Sequence, residues 1–162
     1  MQDRYLFKAK RKDDGKWVHG YLFDDGFENG RVFIGGIVIE KYNGTACDDW
    51  NVTGINFCEI DPNTICQCTG LKDKNGKLIW ENDIIKKEFY TDYDAYANSE
   101  KYTGVMKYED GGWWVKTLKE DGQILARNII DVLAFSKDIE HFEVIGNVFD
   151  NPELWRCSHD GE

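Results

Sequence analysis

Apolar and polar residues alternate along much of this chain, which is the period of a β-strand. In the segment WVHGYLF that begins at Trp17, the aromatic and imidazole side chains fall on one face, and Val18 and Leu22 fall on the other. The segment RVFIGGIVIE that begins at Arg31 is almost wholly apolar and predicts a strong strand. Its Gly35-Gly36 pair predicts a turn or a bulge within that strand.

Asp-Gly and Asn-Gly pairs separate most of the predicted strands. Such pairs tolerate positive φ at both central residues of a type I′ turn, so their density predicts antiparallel hairpins rather than helices joined by short links. They occur at Asp14-Gly15, Asp25-Gly26, Asn29-Gly30, Asn43-Gly44, Asn75-Gly76, Asp110-Gly111, Asp121-Gly122 and Asp160-Gly161.

The predicted organisation is a mainly β protein with two parts. A turn at Asp61-Pro62 separates an N-terminal β-rich part, residues 1–65, from a second part, residues 66–155. The second part carries an acidic, Tyr-rich insertion near 88–102 that fits a helix or a long loop. Asn151-Pro152 predicts a short C-terminal helix, with Asn as the cap and Pro in the first helical position. Residues 156–162 form a tail.

The charge balance argues against general binding of nucleic acid. The formal net charge is −10, and so acidic a protein repels phosphate on average. Arg4–Lys16 is locally basic, which we interpret as a solvated strand face and hairpin rim. No apolar run reaches the length of a membrane span, and the N-terminus lacks a signal-peptide pattern. We therefore expect a cytoplasmic protein without membrane association.

Catalytic and metal-binding patterns are sparse. Three His, few Ser and no Gly-x-Ser-x-Gly motif predict a protein that is not an enzyme and that needs no cofactor or defined small-molecule ligand. Cys66 and Cys68 would point to one side of a strand and are weak candidates for a metal site, but no second ligand pair accompanies them. We expect free thiols instead. Glu81 and Asp83 are interpreted as caps of a turn.

Aromatic residues mark the predicted interaction surface. Tyr and Trp are enriched where proteins bind one another, although they also fill β-protein cores. The candidate residues crowd the acidic insertion and the turn after it, namely Tyr90, Tyr93, Tyr96, Tyr102, Trp113 and Trp114.

Three blocks of this sequence resemble the YopX family of phage and prophage proteins. They are YLFKAKRKDDGKWVHGYLF near the start, TGLKDKNGKLIWENDI from Thr69, and EVIGNVFDNPEL from Glu143. The resemblance implies an SH3-like barrel in the C-terminal part and an origin in a mobile element, but it supplies no known activity. Asn82 stands where the family usually has Gly, which predicts a left-handed backbone there.

The leading functional hypothesis is a non-catalytic accessory protein of phage or prophage origin that binds a protein partner or itself. Two alternatives stay open at this point. One is an acidic DNA mimic or nucleic-acid-associated module, using its net charge or the Arg4–Lys16 segment. The other is a small-molecule enzyme with dispersed carboxylates, which predicts a deep pocket with strongly shifted carboxyl pKa values.

Overall fold

The computed structural model describes residues 5–27, 30–41, 50–87, 102–118, 124–128 and 142–155. These residues form antiparallel strands and single-turn 3-10 helices, which confirms the predicted mainly β class. The chain divides into two compact units, Met1–Gln67 and Cys68–Glu162. No helix among the described residues is long and apolar enough to cross a membrane. The insertion near 88–102 lies almost wholly outside the described residues, as does the tail.

Four strands and the start of a fifth build the first unit. Their antiparallel order is β4-β3-β2-β1-β5. The strands are β1 (Phe7–Lys10), β2 (Trp17–Asp24), β3 (Val32–Lys41), β4 (Trp50–Glu59) and β5 (Cys66–Lys72). Alternation places Val18 and Leu22 of β2 on the core side, as the sequence predicts, where they pack against Ala9, Ile34 and Ile60.

In this unit the residues at the end of β4 contact the residues that follow β1. An isolated bridge joins Arg11 to Ile60, and the Lys12 amide donates to the Glu59 carbonyl at 3.0 Å. Next, Asp61 caps a 3-10 helix, Pro62–Thr64, by accepting a hydrogen bond from the Asn63 amide. The four strands therefore close on themselves at this end, while most of β4 pairs with β3 alone among the described strands.

The second unit contains a five-stranded antiparallel sheet in the order β10-β9-β8-β7-β11. Its strands are β7 (Asp83–Lys87), β8 (Tyr102–Glu109), β9 (Gly112–Leu118), β10 (Ile124–Asn128) and β11 (Phe142–Asn147). The end of β5 forms a hairpin with β6 (Leu78–Trp80). The buried core consists of Ile79, Ile85, Met106, Val115 and Phe142. The SH3-like barrel stays a prediction.

Most Asp-Gly and Asn-Gly turns among the described residues differ from the predicted type. Only Asp110-Gly111 has positive φ at both residues, 51° and 76°. At Asp14-Gly15 and Asn75-Gly76 the glycine alone is left-handed. These loops are longer than two residues, and an Asp carboxylate binds their amides, so one positive φ is enough to reverse the chain. Asn82 has φ 63°, which confirms the left-handed position between β6 and β7.

Gly35-Gly36 does not interrupt its strand, so this prediction is wrong. β3 runs unbroken from Val32 to Lys41. A Cβ on Gly35 would lie 2.1 Å from the Asn56 carbonyl oxygen and 2.5 Å from Cδ1 of Phe57. The glycine is therefore needed for close packing of β4. The bulge falls elsewhere: Val38 pairs with Gly54 and Ile39 with Val52, which leaves Thr53 of β4 as the extra residue.

The predicted C-terminal helix is a single 3-10 turn, Pro152–Leu154. Proline occupies the first turn, as expected, but the Asn151 side chain makes no capping hydrogen bond. The side chains of Asn151 and Leu154 pack instead against Gly146 of β11. A Cβ on Gly146 would lie 2.8 Å from Asn151 Oδ1 and 3.0 Å from Leu154 Cδ1. The turn is thus fixed by packing on β11 rather than by a cap.

Candidate interaction surface

The outer side of the first unit carries large apolar side chains on neighbouring strands. They come from β2, β3 and β4, which the registers Tyr21↔Gly35 and Gly35↔Phe57 place side by side. We name this set the aromatic face; it consists of Tyr21, Phe23, Phe33, Ile37, Ile55 and Phe57. Five of the six are exposed: Tyr21 by 37%, Phe23 by 43%, Ile37 by 62%, Ile55 by 63% and Phe57 by 46%.

Gly35 lies at the centre of the aromatic face and lets its rings meet. Because Gly35 has no side chain, the Phe57 ring lies across β3 and meets Phe23 edge to face, with centroids 5.0 Å apart. Ile37 and Ile55 are direct cross-strand neighbours beside them. The face is therefore a packed cluster of side chains on rigid strands rather than a set of isolated exposed residues.

Ion pairs and cation-π contacts border the aromatic face. Lys12 Nζ lies 2.8 Å from Glu59 Oε1, and Arg31 lies 3.7 Å from Asp25 while its guanidinium sits 5.6 Å from the centre of the Phe33 ring. Partial burial, and then the charge of Lys8, lowers the pKa of His19, which alternates with Tyr21 on β2. An apolar centre inside a balanced, polar rim is the usual anatomy of a protein–protein interface.

The basic segment Arg4–Lys16 is largely occupied with neighbours in the part the structure describes. The ammonium groups of Lys8 and Lys10 lie 5.1 and 5.6 Å from the centre of the Trp17 ring. Arg11 binds Asp13 and lies 3.6 Å from Asp14. The pKa of Arg11 is raised, first by its hydrogen bond to Asp13 and then by the charges of both carboxylates. The segment is hence a set of local contacts more than a free cationic patch.

The tyrosines and tryptophans predicted as a surface are only partly described. Tyr90, Tyr93 and Tyr96 lie outside the described residues, and of Tyr102 the structure describes only the backbone at the start of β8.

Trp113 and Trp114 are both half-buried on β9. Trp113 packs beside the core and meets Tyr108 with ring centroids 5.0 Å apart, while the Trp114 indole donates to the Glu109 carbonyl at 2.9 Å. These two tryptophans remain a candidate surface, with Tyr108 exposed by 46% at its border.

Cys66 and Cys68 are fully buried on β5. The Cys66 thiol donates to the Thr64 carbonyl at 3.4 Å. Among the described residues, no group of three or more His, Cys, Asp or Glu side chains could hold a metal ion. Both cysteines pack as small apolar residues where the first unit passes into the second.

The Thr69–Ile84 block is held together by buried polar residues rather than exposed ones. Asp73 accepts hydrogen bonds from the amides of Asn75 and Lys77 through Oδ1, and from Val144 through Oδ2 at 3.1 Å. Asp83 accepts from the Trp80 amide at 2.9 Å and from the Asn147 side chain at 3.0 Å. Asp83 is thus confirmed as a cap of the turn. Asp73 and Asp83 thus tie the block to β11, through Val144 and Asn147. The block therefore has a structural role.

Within the described ranges, the carboxylates with shifted pKa values are held in the ionised form. Burial, the largest influence on Asp73, raises its pKa, but the amides of Val144, Lys77 and Asn75 together outweigh it and lower the pKa below its ordinary value of 3.8. Backbone hydrogen bonds likewise lower the pKa of Asp14 and Asp25. This is the pattern of turn carboxylates and not of a general acid.

Asp73 should stabilise the fold in a pH-dependent way. Its folded pKa is below its unfolded pKa, so its ionised form contributes stability above the unfolded value, and that contribution is lost as pH falls through the folded pKa. We expect Asp73→Asn to lower the unfolding free energy at neutral pH, with a difference from wild type that shrinks below about pH 4. Urea unfolding at several pH values measures it; a difference that stays constant to pH 3 contradicts the assignment.

The sequence did not identify the aromatic face, although its signal was present. Apolar residues occupy both sides of β3 and one long stretch of β2, a pattern that predicts burial on both sides. Only one side is covered by the core of the unit. The excess of apolar residues in an antiparallel hairpin is the sequence feature that corresponds to this exposed apolar surface.

Comparison with known proteins gives one family and one fold. A family model described as YopX protein matches residues 6–156. The crystal structure of protein EF1440 from Enterococcus faecalis is similar, with a TM-score of 0.50, 21% sequence identity, and coverage of 93% of this chain and 96% of that chain. At this identity the likeness concerns the fold alone. No curated protein matches this sequence.

Proposed function

We propose, from the premise that this chain belongs to the YopX protein family, that it is a phage or prophage accessory protein that binds another protein molecule through its aromatic face. The action is non-catalytic and takes place in the cytoplasm of the bacterial host. One observation carries the proposal: the packed and exposed cluster of Phe23, Ile37, Ile55 and Phe57 on rigid strands. Exposed apolar clusters with aromatic centres mark binding sites on folded proteins.

Electrostatics supports a protein partner over nucleic acid. A groove beside Phe57 is lined by Arg11, Lys12, Asp13 and Glu59, so cations and carboxylates occupy it in equal number. Arg31 at the other border is accompanied by Asp25. A phosphate backbone needs a net excess of cations along its path, which this arrangement does not offer. A neutral, apolar protein surface matches it better.

The carboxylates support a non-catalytic role. An enzyme that used dispersed acids would need groups with raised pKa values in a shared pocket. The shifted carboxylates among the described residues, Asp14, Asp25 and Asp73, are lowered instead, and each belongs to a different turn.

A matched pair of variants tests the surface. Phe57 and Tyr108 are equally exposed, at 46%, but Phe57 belongs to the aromatic face and Tyr108 lies beside Trp113. We expect Phe57→Ser to remove the proteins that wild type captures from a host culture carrying the phage element, and Tyr108→Ser to retain them. Quantitative mass spectrometry of the captured proteins measures the difference. A second copy of the protein with a different tag is expressed in the same cells, so that self-association is counted separately from capture of other proteins.

The reverse result would assign binding to the Trp113–Trp114 surface. Capture that neither substitution changes would contradict the aromatic face. Circular dichroism and melting of both variants are needed, because only a folded variant reports on binding.

A further inference from the structure

We infer that β4 pairs with β4 of a second copy, strand against strand in antiparallel order, along Gly54–Cys58. This inference rests on the proposed function and extends the aromatic face across a second copy. We name this stretch the β4 edge. On one side it pairs with Ile34–Val38 of β3. On its other side no strand pairs with it among the described residues. The backbone contacts of β4 with the end of the first hairpin begin only after this stretch, at Glu59 and Ile60.

The β4 edge lacks the usual protection of an exposed strand. Proteins shield such edges with Lys, Pro or inward-pointing charges, because unpaired backbone groups recruit other strands. The residues from Gly54 to Cys58 include neither Lys nor Pro and no charge at all. The bulge at Thr53 and the ion-paired Glu59 bound this stretch at its two ends. Its length of five residues is that of an ordinary paired strand.

Pairing of the β4 edge with itself is self-complementary. An antiparallel pair centred on Asn56 places residue 55 opposite residue 57 of the other copy, and the reverse. Ile55 and Phe57 both project from the aromatic face and are exposed by 63% and 46%. The two copies would thereby form two identical Ile–Phe cross-strand contacts, which is a favourable kind of pair. The aromatic faces would join into one continuous surface.

Charge also favours a second copy over a charged host protein. Glu59 falls opposite Thr53 in this register, so no like charges meet across the pair. The net charge of −10 on each copy opposes association, but charges farther apart than the screening length of about 8 Å at physiological salt contribute little. Added salt should therefore strengthen the dimer. A basic partner would show the opposite response, because salt screens its attraction to the acidic chain.

A disulfide trap tests this register directly. Gly54 has open space where a Cβ would stand, and it would face Cys58 of the other copy. Residues 54 and 58 of one strand are about 13 Å apart, so they can be bridged only between copies. We expect Gly54→Cys to give a covalent dimer joined through residues 54 and 58. Gly36→Cys, which also has open space but lies on β3, should give no such link.

A charge substitution gives an independent measurement. Asn56→Lys would place two ammonium groups opposite each other on the two-fold axis and should raise the dimer dissociation constant by about tenfold or more. Asn75→Lys, an exposed turn position in the second unit, makes the same change in charge and should leave the constant unchanged. Sedimentation equilibrium of the full chain over a range of concentrations measures both.

The other outcomes overturn the inference in distinguishable ways. A monomeric mass at all concentrations, with no 54–58 link, overturns the pairing of β4 between copies. If Phe57-dependent capture of a host protein is seen at the same time, the proposed function still stands. A dimer that Phe57→Ser abolishes and Asn56→Lys leaves intact means that the copies meet face to face. If a host protein protects the amides of the β4 edge from hydrogen exchange where a second copy does not, a strand of the host protein, and not β4 of another copy, pairs with the β4 edge.

Discussion

Replacement of Asp83 by alanine is expected to lower the unfolding free energy by about 3 kcal/mol, a large part of the stability of a small β domain. Asp83 is 1% exposed, and its two oxygens accept from the Trp80 amide and the Asn147 side chain. Alanine cannot accept either bond, so both donors lose this acceptor in a site closed to water. Each such donor costs about 1–3 kcal/mol.

Chemical unfolding followed by tryptophan fluorescence measures this loss. Glu81→Ala, in the same turn but half-exposed, is the matched control and should change the free energy by about 0.5 kcal/mol or less. The double variant Asp83→Ala/Asn147→Ala should lose less than the two single losses combined, since their shared bond is counted twice. Strict additivity would mean that the two residues act separately.

Gly35→Ala should destabilise the first unit by about 3 kcal/mol, whereas Gly36→Ala should be nearly neutral. The first substitution places a methyl group 2.1 Å from the Asn56 carbonyl oxygen, which is backbone and cannot move without separating β3 from β4. The second meets nothing within 4 Å. Gly35 and Gly36 are adjacent in one strand and lie on opposite faces of it, and we expect a large loss of stability at the first and almost none at the second.

Thermal and urea unfolding of the two glycine variants tests this contrast. The Gly35 variant should also lose the contact between Phe23 and Phe57, because the ring of Phe57 lies over Gly35. Equal stability of the two variants would show that β4 does not approach β3 as closely as described. A less stable Gly36 variant would reverse the assignment of the two faces.

Local features of the fold were predictable because they depend on neighbouring residues. The period of two around Trp17 and the Asp14-Gly15 turn specify the first hairpin without help from the rest of the chain. The left-handed position of Asn82 and the capping role of Asp83 follow from turn chemistry in the same way.

Features that depend on distant residues were not predictable from the pattern. The Gly35-Gly36 pair indicated a break in the strand. Its actual reason is the close approach of the Asn56 carbonyl to Gly35, which the local sequence of β3 does not reveal. The aromatic face was missed for the same reason. An apolar residue such as Ile37 has the same local sequence signature whether its side is covered or exposed, and only the packing of the other strands decides.

Two of the hydrogen bonds that join the Thr69–Ile84 block to β11 also indicate when the second unit can form during synthesis. Asp83 and Asn147 are 64 residues apart in sequence, and Asp73 and Val144 are 71 apart. At translation rates of about 5–20 residues per second, the ribosome needs about 3–13 s to add the 64 residues that separate Asp83 from its partner. During that time the carboxylates of the block are hydrated and its apolar neighbours stay accessible to chaperones. Folding of this unit is therefore a late event, completed only after β11 has emerged.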